Sequence, residues 1–296
     1  MGDSDSDGVD DELEEESERA IVGSEAGTAF ELRSRSTQYQ QNDEFRLSFD
    51  RGRLEFVYAR VAQSLETELE LRLEFEQLLA FADTDANGLY DDGEPVGELL
   101  ELEHVEWAAS TVQEVANPDG SLALRFEAAT ADGVFALTAL ASPHFYLAEG
   151  SIQPPTTVKL TFQIHGFPGG GEGDHVALIA EVSGDGATLA YSPDQNRLSA
   201  IAGEVSANFS WAPHATVDGE QTPVGAEYIP GILVLTYVGG EAILHDPLLE
   251  VESLAAFSGL ATALALDPLV FGLSVAAAAG LIIILAVRHR HLQREL

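Results

Sequence analysis

Residues 69–75 read LELRLEF, in which Leu69, Leu71, Leu73 and Phe75 alternate with Glu70, Arg72 and Glu74. Successive side chains of a strand point to opposite faces, so this segment has one apolar face and one wet face. The same period of two recurs in FRLSF (Phe45, Leu47, Phe49), LALRF (Leu122, Leu124, Phe126) and VKLTFQI (Val158, Leu160, Phe162, Ile164). Further β segments are HVALIAEV (175–182), VSANFSW (205–211) and ILVLTYV (232–238). Ahead of the C-terminal region, only the acidic stretch near residues 11–20 has a helical period of any length. Short alternating strands divided by Gly, Pro, Asn and Asp predict a mainly β chain folded as an antiparallel β-sandwich. Pro154 and Pro155 mark a corner. Residues 26–150 and 151–252 are then two tandem β-rich domains or the two halves of one large sandwich.

The chain is long enough, at 296 residues, to bury a substantial core. Its 50 acidic residues against 14 basic ones give a net charge of −36, yet apolar residues make up 45%, too many for a disordered polyanion. Lys159 is the single lysine; the other basic residues are arginine. At molar salt the Debye length is about 3 Å, so surface carboxylates barely repel one another and keep the protein hydrated. The composition therefore predicts adaptation to high salt. It also argues against nucleic acid as a partner, which requires clustered Lys and Arg to displace phosphate counterions. With no cysteine, disulfides, thiol catalysis and cysteine metal sites are excluded.

Residues 269–287, LVFGLSVAAAAGLIIILAV, are 19 consecutive uncharged residues. As a helix they would span roughly 28 Å, the thickness of a bilayer core. Asp267 is a suitable N-cap with Pro268 after it, and the run stops at Arg288. Residues 253–268 then form a juxtamembrane segment and 288–296 a basic tail. Arg288, Arg290 and Arg294 follow the span, whereas Glu250, Glu252 and Asp267 precede it, which predicts a cytoplasmic C-terminus and an external N-terminal region. No signal peptide is visible in the first 27 residues. Either the true start lies upstream of Met1, the preferred reading, or the chain is tail-anchored and cytoplasmic. Gly272, Ala276 and Gly280 stand four apart and form a small-residue face suited to weak helix dimerisation.

Residues 83–94 read DTDANGLYDDGE. Calcium takes six to eight hard oxygen ligands, and a twelve-residue loop supplies them from positions 1, 3, 5, 7, 9 and 12 around a glycine at 6. Asp83, Asp85 and Asn87 fill the first three, Leu89 offers its carbonyl, Asp91 and Glu94 the last two, and Gly88 makes the turn. A strand precedes the loop and Pro95 follows it, so it resembles EF-hand ligand spacing without the helix-loop-helix frame. That setting predicts a fixed clamp rather than a sensor. A weaker second site places Asp3, Asp5, Asp7, Val9, Asp11 and Glu14 at the same positions within residues 1–25. This copy resembles the aspartate-rich calcium repeats of thrombospondin type 3 modules; a solvated acidic tail is its other reading.

Asn208, Phe209 and Ser210 form a glycosylation sequon, and if Val205, Ala207, Phe209 and Trp211 face inward, alternation sends Asn208 to solvent. The glycine-rich GFPGGGEGDH (166–175) lacks the Gly-Lys-Ser/Thr of a phosphate loop and reads as a hairpin connection that could bring His165 and His175 together. No Gly-x-Ser-x-Gly elbow and no helical pair of histidines occurs, so no catalytic residue is assigned. Taken across its length, the chain resembles the single-pass surface proteins of halophilic archaea. That resemblance implies a cell-envelope or adhesion component with calcium as its cofactor, in the bilayer, with a surface protein or glycan as partner. A surface-anchored hydrolase is the alternative.

Overall fold

Leu69, Leu71, Leu73 and Phe75 are all buried, and so are Phe45, Leu47 and Phe49 and the four apolar residues of VKLTFQI. LALRF departs from the pattern: Phe126 is buried, but Leu122 at the start of its strand is 60% exposed. The computed structural model describes residues 20–253 except 39–40, 63–64, 92, 118–121, 144–145, 149–150 and 168–173. The second loop from Asp3 to Glu14 and the apolar run 269–287, with Gly272, Ala276 and Gly280, lie outside the described residues. Among the described residues no helix is long and apolar enough to cross a membrane.

Strands are numbered along the chain. The first sheet runs β1 (Ala20–Ala26), β2 (Ala29–Gln38), β3 (Gln41–Asp50), β4 (Arg53–Ala62), β5 (Leu65–Ala82), β13 (Asp174–Ser183), β20 (Ile232–Val238) and β19 (Gly225–Ile229), with β6 (Val96–Glu101) also paired to β5. The second contains β14 (Thr188–Ser192), β15 (Arg197–Ala202), β16 (Val205–Trp211), β22 (Pro247–Ser253), β12 (Thr157–His165), β21 (Ala242–His245), β17 (His214–Val217) and β18 (Glu220–Pro223). From the other edge of β12 it continues through β9 (Phe135–Ala141), β8 (Leu122–Ala129) and β7 (Thr111–Ala116). β10 (Tyr146–Ala148) and β11 (Ser151–Gln153) form a hairpin of their own. Strands from both sides of Pro154 and Pro155 enter both sheets, so the two segments are halves of one sandwich.

The sheets face each other across one apolar core. Phe75 of the first sheet meets Phe135 and Phe162 of the second at 5.6 and 5.3 Å, and Phe30 meets Phe126 at 4.9 Å. Edge and tilted pairs of this kind add about 0.5–1.5 kcal/mol each beyond area burial. A buried polar link crosses the core: the Tyr237 hydroxyl lies 3.0 Å from His245 Nδ1, and His245 Nε2 lies 3.0 Å from the Ala212 carbonyl. Burial lowers the pKa of His245, so the neutral ring is the form that fits, with Nε2 donating and Nδ1 accepting.

The outer face of β2–β5 collects much of the positive charge. Arg35 pairs with Glu44, Arg46 and Arg72 share Glu55, and Arg53 pairs with Glu74. Each exposed pair is worth about 0–1 kcal/mol, so their effect is to neutralise one face locally rather than to hold the fold.

β5 changes character midway. Glu76 is an extra residue in the pairing with β13, opposite the step between Ile179 and Ala180. Ahead of this bulge one face of β5 is buried; beyond it Leu78, Leu79, Ala80 and Phe81 are all buried. The neighbouring strands agree, with Val176–Ala180 of β13 and Leu233–Tyr237 of β20 buried without interruption. Here the sheet is covered on its outer face as well, and the cover is the connection from β5 to β6.

Candidate metal-binding loop

β5 and β6 form a hairpin whose connection contains the motif 83–94. Its neck is closed by the Ala82 N–H donating to the Pro95 carbonyl at 3.0 Å. Beyond the neck the loop folds on its own carboxylates, which accept backbone donors that a tight reversal of chain cannot satisfy otherwise. Asp83 accepts from the N–H groups of Asn87 and Gly88 at 3.2 and 2.8 Å. Glu94 reaches back across the loop and accepts from Thr84 at 2.8 Å and Asp91 at 3.1 Å. Gly88 has φ +76°, a left-handed conformation that glycine adopts without strain, in the sixth position where the spacing requires a turn.

This arrangement draws three of the expected ligand residues together: Asp83, Asp85 and Glu94 each offer an oxygen within 4.8 Å of the others. Asp91 joins them through Asn87, whose Nδ2 donates to Asp85 at 3.1 Å and to Asp91 at 2.7 Å. The Asn87 carbonyl oxygen accepts from the Leu89 N–H at 2.6 Å. Asp83, Asp85 and Glu94 converge through carboxylate oxygens, the chemistry of a hard divalent cation, and the crowded carboxylates repel one another unless positive charge lies among them. The donor set fits calcium: Asp83, Asp85 and Glu94 would hold the ion, with Asn87 and Asp91 beside them.

Asp83 sits at the foot of the loop, its side chain only 4% exposed and 4.0 Å from His175 Nε2. Desolvation opposes ionisation of this carboxyl, but the N–H groups of Gly88, Ala86 and Asn87, and then His175, outweigh it and hold its pKa below the ordinary aspartate value.

The loop is seated on the sheet. The Thr236 hydroxyl of β20 donates to the Gly88 carbonyl, and Tyr90 packs edge-on against Phe81 with ring centroids 5.2 Å apart. Beneath it Leu79, Phe81, Ala177, Ile179 and Val234 form a second, smaller core on the outer face, with Tyr90 against them. At Gly225 of β19 a methyl group would stand 2.1 Å from the Gly88 carbonyl oxygen, so glycine is what lets the loop approach. Tyr90, His175, Gly225 and Thr236 escape a motif search. Their signal is the unbroken apolar run in QLLAFA, VALIA and LVLTY, which in an antiparallel sheet means that both faces are covered.

Two expectations are corrected. Val205, Ala207, Phe209 and Trp211 do point inward, but Asn208 is 1% exposed and accepts a hydrogen bond from Ser199 on β15 at 2.7 Å. The far face of the sheet is covered at this point too, so the folded sequon offers no open amide. Of the expected hairpin connection 166–175, residues 168–173 lie outside the described residues, but the flanking strands β12 and β13 belong to different sheets and do not pair with each other. His165 and His175 therefore end strands that are not neighbours. Elsewhere His104 is exposed beside Glu101 and Glu103, and His245 is in the core. Among the described residues, Asp83, Asp85 and Glu94 are the one group of three or more His, Asp or Glu side chains close enough to hold a metal.

No protein-family model matches the chain, and no curated protein matches it. Fold and site together define a β-sandwich that carries an oxygen-lined loop docked on one outer face.

Proposed function

We propose that this chain is a salt-adapted protein of the cell envelope, an outward-facing β-sandwich tied to the bilayer by residues 269–287, with calcium in the 83–94 loop as a structural clamp. The observation that carries the clamp is the seating of the loop: its carboxylates converge at the foot of a segment that also roofs the small outer core. A cation among Asp83, Asp85 and Glu94 would relieve their repulsion and hold Gly88 and Tyr90 down on β20 and β5. Nothing in this setting opens like a helix pair, since strands lie on both sides and the neck is hydrogen-bonded. The module would then present a rigid surface to a neighbouring surface protein or glycan, and its cofactor would serve rigidity rather than chemistry.

Calorimetry on the full chain in detergent and molar salt tests the clamp. Binding at about 10⁻⁴ to 10⁻³ M is expected, as for extracellular calcium modules, and should be lost in Asp83→Ala and Glu94→Ala. Unchanged binding in both variants would remove this loop from consideration. Protease shaving of intact cells tests the orientation: residues 20–253 should be cut from outside, and a chain cleaved only after lysis would place them inside.

A further inference from the structure

Asn87 is followed directly by Gly88, and the pair carries a chemistry of its own. A glycine nitrogen, unhindered by any side chain, can attack the side-chain carbonyl carbon of the asparagine before it. In the docked loop every group that would have to move is held. The Gly88 N–H donates to Asp83 Oδ2 at 2.8 Å, which fixes the plane of the attacking nitrogen. Both ends of the Asn87 amide are engaged, Nδ2 with Asp85 and Asp91 and Oδ1 with the Leu89 N–H. The Gly88 carbonyl is tied to the sheet by Thr236. Asn87 itself is exposed, so water reaches it freely.

We propose that Asn87–Gly88 is a latent self-modification site, silent while the loop is docked and reactive when the loop opens. The step needs only water and hydroxide. Hydroxide takes the Gly88 N–H proton as that nitrogen bonds to Asn87 Cγ; the Cγ–Nδ2 bond breaks, and ammonia leaves with a proton from water. Water then opens the resulting five-membered imide at either carbonyl, leaving an aspartate at position 87 or its isoaspartyl isomer. No atom is oxidised or reduced.

The two products differ in what they do to the loop. An aspartate replaces the two N–H donors between Asp85 and Asp91 with a third negative charge. The isoaspartyl form lengthens the main chain by one atom just ahead of Gly88, so the loop can no longer meet Thr236 in the same register. The proposal deepens the clamp reading of the same loop, but it stands on hydrogen bonds rather than on the ion.

The full chain is incubated in mildly alkaline buffer at molar salt, with calcium or with a chelator, beside a synthetic peptide of residues 83–94. Digestion and mass spectrometry then count the asparagine lost and the isoaspartate formed at position 87. Reaction from the opened loop alone makes the folded chain about tenfold or more slower than the peptide. Thr236→Val and Asp83→Asn, each shown to stay folded by its melting transition, should bring the rate towards that of the peptide. A wild-type chain that reacts as fast as the peptide, or variants as slow as the wild type, would overturn the proposal. Protection that the variants remove but the chelator does not supports this proposal and counts against calcium as the agent that closes the loop.

Discussion

Replacing Gly225 by alanine tests whether the loop is seated as described. The added methyl would lie 2.1 Å from the Gly88 carbonyl oxygen, 2.2 Å from Thr236 Oγ1 and 3.1 Å from Leu89 Cδ2. Carbon and oxygen atoms approach to about 3.3 Å at closest, so the loop must withdraw by about 1 Å. Withdrawal breaks the Thr236–Gly88 hydrogen bond, about 1 kcal/mol, and loosens the Tyr90–Phe81 contact, about 0.5–1.5 kcal/mol. Overpacked sites lose about 1–3 kcal/mol in general, and the contributions overlap, so the expected loss is about 2–3 kcal/mol. For a chain of this size that is a fall in Tm of about 5–10 °C, small enough to leave the protein folded. The assay is thermal unfolding in molar salt with calcium present. Gly97→Ala on β6 is the control, since its methyl would meet Ala80 at an ordinary 3.6 Å and should change little. If Gly225→Ala melts with Gly97→Ala, the loop does not rest on β19 and the small outer core is not roofed by it.

Tyr90→Ala removes the roof without touching a carboxylate and should destabilise by about 1–3 kcal/mol, read from the denaturant midpoint; no change would mean that the ring does not close the outer core. The His245 pKa is lower in the folded chain than in the unfolded one, so its neutral form is favoured by folding. Stability should be full above the unfolded value of about 6.5 and decline as pH falls below it. His245→Gln keeps a polar partner for Tyr237 but cannot titrate, and its unfolding midpoint should vary less between neutral and mildly acidic pH; an unchanged slope would assign the dependence to other groups. With a net charge of −36, cooperative unfolding should weaken as salt falls from molar to about a tenth molar. A melting temperature indifferent to salt over that range would rule out adaptation of this kind.

Much of the site was legible at the level of the motif. The residue types and spacing of DTDANGLYDDGE predict an oxygen-lined loop with its turn at Gly88, and Gly88 has a left-handed backbone, as do Ala86 and Gly93 in the same loop. What spacing could not supply was the division of labour within the loop. Asp83, Asp85 and Glu94 converge, whereas Asp91 is reached through the Asn87 amide, because the folded loop spends much of its carboxylate capacity on its own backbone N–H groups. Asn208 shows the limit of alternation as an argument. A period of two says which residues share a face, and it placed Asn208 correctly opposite Phe209; it does not say whether that opposite face is open.

By itself the sequence determined the class of fold, since period-two alternation is a local property that each strand carries whatever its neighbours are. It also determined the charge balance and the ligand spacing of the loop, which are matters of composition and order along the chain. Only the tertiary structure decided that the two halves interleave in one sandwich, that the consecutive strands β12 and β13 belong to different sheets, and that the loop is seated on Thr236 and Gly225 more than a hundred residues away. Those are pairings between distant segments, selected by the shape and cover of the whole core, and no window of sequence holds both partners.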